Sequence, residues 1–205
     1  FSMQLDDSFL SQRSLGILVH PSSIPGGSYC GTFGEGLKKW INLLSINKIK
    51  YWQFLPLTPA DHTGSPYSSP SSFAINPWFL DVNELINSNF IKNSNQVKNF
   101  QLDAENLNVF QFNVADELSK IIGNLLIDSW ELQSFDRKDQ FYNWCKNNSW
   151  VNDFSVYMTL KEEFDFSAWW NWPEEFKLKK KLVIEKWEKN NEKPILKSKL
   201  IQWHR

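Results

Sequence analysis

The sequence predicts an α/β fold, the opening of a (β/α) barrel followed by a helical half. Three observations predict it. Two short apolar runs, at 15–19 and 51–57, flank a stretch whose apolar residues recur at helical spacing. Each run gives way to polar chain rich in proline or glycine, the way buried parallel strands end. From about residue 100 onward the apolar positions keep a helical period, with no alternating pattern to indicate a strand.

The first run, LGILV, is apolar on both faces and stops at His20-Pro21, so it reads as a buried strand. Gly26, Gly27, Gly31, Gly34 and Gly36 then mark a loop. Leu37, Trp40, Ile41 and Leu44 fall on one helical face, with Lys38, Lys39 and Asn42 turned away. The second run, YWQFLPL, reads as the next strand, and a right-handed crossover makes the two parallel. A long loop follows at 62–77, HTGSPYSSPSSFAINP, whose three prolines break both helix and strand. Trp78 to Val82 reads as a further short strand. In the second half, Val114, Leu118, Ile121, Ile122 and Leu125 define one helix, and Phe141, Trp144 and Cys145 another. Trp150, Phe154, Tyr157 and Met158 share the face of a third. Phe176, Leu182, Val183 and Trp187 suggest a fourth, whose lysines at 177 and 179–181 alternate with Glu174, Glu175, Glu185 and Glu188 as on a solvated face.

Composition narrows the function. A net charge of −1 argues against a nucleic-acid partner, which calls for a basic surface. No apolar run approaches the ~20 residues of a membrane span, and no leader pattern appears. The two cysteines, Cys30 and Cys145, give neither a metal pattern nor a disulfide framework, and fit a reducing, cytoplasmic compartment. His20, His62 and His204 lie too far apart for a local metal site. The start at Phe1 and the amphipathic run into Arg205, without a stop signal, read as cuts at both ends of a longer protein.

Binding and catalytic groups of barrels sit at the C-terminal ends of the strands. There stand His20 after the first strand, Gln53 within the second, and Ser65 and Tyr67 in the loop beyond it. Tyr67, between Pro66 and Ser68, offers a flat ring and a hydroxyl on stiff backbone, suited to the face of a sugar ring. His20 reads equally as the cap of a turn, and Gln53 as a buried amide satisfied by backbone. Asp61 and Asp81 form no recognisable catalytic pair, and Asp81 reads as a helix cap over 82–86. Glu162 and Glu163 sit in a helical run and read as surface, with one of them facing a groove as the alternative. The cluster from Trp169 to Pro173 is either a sugar platform or, the favoured reading, an apolar plug between two helices.

GILVHPSSIP at 16–25, the glycines from Gly31 to Gly36, YWQFLPL at 51–57, Ser65-Pro66-Tyr67 and Asn76-Pro77 together resemble the 4-α-glucanotransferases of glycoside hydrolase family 77, the amylomaltases or disproportionating enzymes. WVNDFSVYMTLK at 150–161, Trp169 through Pro173, and Gln202-Trp203 as the start of a later helix continue the likeness, which runs in order over 13–205. The resemblance implies a (β/α)8 barrel, begun in 1–99, with a large helical insertion over 100–205. It implies transfer of an α-1,4-glucan segment to the 4-hydroxyl of an acceptor glucan or of glucose. The partners implied are maltooligosaccharides, starch or glycogen chains, and glucose, with no metal or organic cofactor. The chemistry implied is a retaining double displacement by two carboxylates, both lying beyond this chain, so that these 205 residues alone are inactive. By the same likeness Tyr67 stacks on the sugar at the cleavage point and Ser65 lines the groove. Two departures stand out: His62-Thr63-Gly64 replaces a common Tyr-Gly-Asp, and Ile75 stands where glycine is frequent. A glucan-binding module without chemistry and an α-glucan hydrolase of related fold are the alternatives.

Overall fold

The computed structural model describes residues 13–27, 30–61, 63–92, 95 and 112–204. His62, the boundary at 99/100 and both chain ends lie outside them. The two strands form as a parallel pair. β1 (Gly16–Leu18) lies beside β2 (Tyr51–Gln53), with Gly16 opposite Tyr51, Ile17 opposite Trp52 and Leu18 opposite Gln53. Backbone bonds from Lys50 N to Leu15 O and from Val19 N to Gln53 O, both 3.1 Å, extend the ladder by a step at each end. β2 is shorter than the apolar run predicts, because its partner β1 ends at Leu18 and the chain then turns at Pro21–Ser23. α1 (Glu35–Ile46) makes the connection. It meets the sheet where Trp40 packs edge-on against Trp52 at 6.3 Å and the Trp52 indole N–H donates to Val19 O at 2.9 Å.

The expected burial of the strands on both faces does not hold. Leu18 is 61% exposed, and Leu15, Phe54, Ile41, Leu43 and Ile46 are exposed as well. With two strands and one helix, the described residues supply cover for only part of this apolar surface.

The run at 78–82 is not a strand. Asn76 accepts a bond from Trp78 N at 3.1 Å, Pro77 takes the first position, and Pro77–Phe79 closes as a 3-10 turn. Asp81 then caps α2 (Val82–Asn87), its Oδ1 accepting from Glu84 N at 3.0 Å, as expected of it. The other Asp81 oxygen accepts from the Thr32 hydroxyl. The backbone at Gly34 passes so close to this carboxylate that a Cβ there would overlap it.

The helices of the second half are α3 (Phe112–Trp130), α4 (Phe135–Asn147), α5 (Trp150–Glu163), α6 (Glu174–Lys177), α7 (Lys181–Asn190) and α8 (Glu192–Trp203). α3 buries Leu118, Ile122, Leu126 and Trp130, one residue per turn, against Phe141, Cys145, Val151 and Leu200. Leu80, Val82, Leu85 and Ile91 join the same cluster, so one core runs from the sheet-proximal segment into the helices. Gly123 lets α8 approach, since a Cβ there would lie 2.9 Å from Ile201 Cδ1. Gln202-Trp203 ends α8 rather than starting a helix.

The predicted fourth helix breaks in two between α6 and α7, where Lys179 takes a positive φ of 48°. Leu182 consequently leaves the predicted face and is 80% exposed. The tryptophan cluster also divides. Trp172 plugs a second core with Leu160, Trp187 and Ile195. Trp169 and Trp170 stay exposed, edge to face at 5.8 Å.

The end of α2 is clamped from α4. Arg137 donates to Asn89 O at 3.0 Å and Ser88 O at 2.7 Å, and lies over the Phe90 ring at 4.4 Å. His204 packs against the same ring, 4.0 Å from Phe90 between ring centroids. Burial first, and the Arg137 charge second, hold the His204 ring well below its usual range, at about 4. The folded state therefore refuses a proton that the unfolded chain accepts below about 6.5. Stability owes nothing to this group above that pH and falls as the pH drops toward 4, with a slope of up to about 1.4 kcal/mol per pH unit. Urea unfolding of His204→Phe between pH 7 and 4.5 should show a shallower loss than the parent; equal slopes would contradict the burial argument.

Candidate functional site

The loop after β2 is braced by its own polar residues. Asp61 Oδ1 accepts from Thr63 N at 2.9 Å, Thr63 Oγ1 at 2.6 Å and Ser65 N at 3.3 Å. The Thr63 hydroxyl, ahead of the backbone amides, holds the Asp61 carboxyl down at about 2. The carboxylate is therefore ionised, and these bonds are available, from the ordinary carboxylate range upward; they are lost as pH falls through about 2. Asp61 is thus a loop organiser. Further along, Ser71 Oγ accepts from Phe73 N and Ala74 N, both at 3.1 Å, and Ser69 Oγ donates to Ser71 O at 2.8 Å. The serines do the work of turn formers.

Between these braces stands Tyr67. The residue is 73% exposed, and its backbone N–H donates to Ser65 Oγ at 3.4 Å. Ser65 is half-buried. Thr58 Oγ1 donates to Pro66 O at 3.5 Å, tying this segment to the chain leaving β2.

His20 sits at the end of β1 and bridges to the same chain. Its Nδ1 takes bonds from Ser22 Oγ at 2.7 Å and, more weakly, from Ser22 N at 3.4 Å. That leaves Nε2 to carry the proton and donate to Pro56 O at 3.4 Å. Its pKa is lowered by burial, opposed by the Pro56 bond. His20 thus caps the turn Pro21–Ser23 and also joins the ends of the two strands. Gln53 ends β2 with an exposed side chain, so the buried-amide reading does not apply to it.

The loop's far end is held from the helices, which sequence reasoning missed. Gln202 Nε2 donates to Ile75 O and Ile75 N donates to Gln202 Oε1, each at 3.0 Å. Phe73 lies nearly parallel to Trp150 of α5, at 6.1 Å. Asn76 N closes the loop onto Leu57 O at 2.8 Å. No local signal points to Gln202, which is 127 positions from Ile75; the Trp150 motif was legible only as part of a helix.

Two open grooves lie elsewhere, one of ≈ 550 Å³ beside Phe90 and Arg137 and one of ≈ 750 Å³ among α4, α5, α7 and α8. Tyr67 lines neither. Among the described residues no group of His, Cys, Asp and Glu is arranged to hold a metal, and no helix is long and apolar enough to cross a membrane.

The family model for 4-alpha-glucanotransferase, glycoside hydrolase family 77, matches residues 19–205. This chain belongs to the 4-alpha-glucanotransferase family. Among the relatives of this family, the 4-alpha-glucanotransferase of Clostridium butyricum is 32% identical over 189 residues, which are 90% of this chain and 37% of that protein. That of Streptococcus pneumoniae (strain TIGR4) is 32% identical over 168 residues, 80% of this chain and 32% of that protein. The chain thus spans about a third of the length of these relatives. An amylomaltase from Streptococcus agalactiae, solved in complex with acarbose, shares the fold with a TM-score of 0.81 at 24% identity, over 94% of this chain and 39% of that one.

Proposed function

We propose that this chain is the part of a 4-α-glucanotransferase that receives and orients the donor glucan. One observation carries the reading: in a chain of this family, Tyr67 stands exposed on a loop that is braced at both ends and follows directly on a parallel strand. A ring so placed has no packing duty and is free to stack on a pyranose face. The names of the relatives, and the acarbose bound to the S. agalactiae amylomaltase, point to the same substrate class. By the family likeness Ser65 contacts the glucan beside Tyr67, and His20 and Gln53 stand at the ends of the two strands.

The reaction is transfer of an α-1,4-glucan segment to the 4-hydroxyl of another glucan or of glucose, by double displacement through a glycosyl-enzyme intermediate. Its nucleophile and its acid–base carboxylate lie outside these residues. Asp61 and Asp81 support that placement, since each is committed to holding backbone or hydroxyl groups in the scaffold. No cofactor is required. In the full protein, further strands complete a (β/α)8 barrel and cover Leu18 and Phe54, while the residues from 100 to 205 form a helical insertion in it.

Incubation of the full-length protein with maltotriose tests the proposal. Disproportionation to glucose and longer glucans is expected. Hydrolysis alone would identify a hydrolase, and binding without turnover a glucan-holding module; either result refutes the transferase reading.

A further inference from the structure

Gln202 is 1% exposed, and its side-chain amide spends both ends on one residue of a distant loop. Primary amide against peptide reproduces the reciprocal N–H and C=O exchange by which neighbouring strands pair. The same α8 turn packs Leu200 in the core, so the platform beneath this amide is rigid. At the other end Ile75 leads into Asn76, whose N–H is bonded to Leu57 O and whose side chain caps the next turn. The stretch from Asp61 to Ile75 is therefore a closed span. It is pinned to the chain leaving β2 by the Thr58–Pro66 bond and to the helical half by Gln202, with Tyr67 between the pins.

We propose that Gln202 is a positioning residue: its amide fixes the far end of the loop and thereby the orientation in which Tyr67 meets the sugar. This rests on the reading of Tyr67 as the sugar-stacking residue. The residue type follows from the chemistry. Only a neutral amide supplies one donor and one acceptor at this length. Asparagine is a methylene too short, methionine fills the volume but leaves Ile75 N and O unpaired, and glutamate sets a negative oxygen against the Ile75 carbonyl. The Phe73–Trp150 stack supports the same end of the loop but cannot set its register, because ring stacking is tolerant of sliding.

The test uses the full-length protein carrying Gln202→Met. Releasing one pin weakens sugar contacts made alike in the ground and transition states. KM for maltotriose should therefore rise about tenfold while kcat stays within about threefold of the parent. Amide hydrogen exchange over 63–76 should accelerate by at least about tenfold, with exchange over 113–130 unchanged. A second variant, Gln202→Glu, keeps the acceptor for Ile75 N. Its KM, taken relative to the parent at each pH, should recover as acid protonates the carboxyl and restores a donor. Unchanged KM and unchanged loop exchange in Gln202→Met would overturn the proposal, even with a lowered melting temperature, since the amide would then only fill core volume. Should the parent protein itself make no glucose from maltotriose, the transferase reading falls while the exchange measurement still decides whether Gln202 holds the loop.

Discussion

Replacing Tyr67 by alanine in the full-length protein is expected to lower kcat/KM for maltotriose roughly 50- to 100-fold without lowering the melting temperature. A tyrosine ring laid on a pyranose removes on the order of 100 Å² of apolar surface from water, worth about 2.5 kcal/mol, and each ~1.4 kcal/mol is a factor of ten. The second half of the expectation follows from exposure. Tyr67 is 73% exposed, so removing its ring opens no cavity and strands no hydrogen-bonding group. Tyr67→Phe keeps the stacking face and should stay within about fivefold of the parent, the lost hydroxyl being worth about 1 kcal/mol. Initial rates of glucose release, read beside thermal melts, check both variants. A Tyr67→Ala protein with parental kcat/KM would remove this residue from the sugar site. One that melts early would show the ring to be structural.

Phe141→Ala should have the largest effect on stability, about 3–5 kcal/mol, because the ring is fully buried and an alanine leaves a cavity that helices on three sides cannot close. Phe141 meets Trp130 at 4.9 Å and Trp203 at 5.3 Å, both edge to face. The substitution therefore forfeits these ring contacts as well as transferred area. Against the ~5–15 kcal/mol that holds a typical domain together, that is a large fraction. Phe141→Leu retains most of the volume and should cost clearly less. Urea unfolding midpoints at pH 7 measure the difference. A cost under about 1 kcal/mol for alanine would mean that α3, α4 and α8 do not share a core there.

What the sequence made legible was what local pattern encodes. The helical period over 114–125 gave α3, because one residue per turn is enough to declare a buried face. The apolar runs gave both strands and their parallel pairing, because a helix between them leaves little choice. Strand burial was not legible, since an apolar run records what a strand can bury and not what is there to cover it. Trp78 to Val82 misled for a related reason. Its apolar content suits a strand, but Asn76, Pro77 and Asp81 impose two caps in six residues, and cap chemistry won. In the site, the exposure expected of Tyr67 followed from its prolines. The far pin of the loop did not, because a pairing across 127 positions leaves no trace in spacing.

The pair of strands has a consequence for how the molecule matures. Among the described residues the sheet holds two strands only, and Leu18 and Phe54 face water. Open edges beside bare greasy side chains invite illegitimate partners. The helices give it little early help, because α3 closes on Leu200 and Ile201 of α8 from a distant stretch of the chain, and such contacts form late. Until those distant partners meet, a nascent polypeptide of this kind carries an adhesive ribbon with little to cover it. Chaperone attention, and the hazard of clumping when it fails, would fall on that ribbon first.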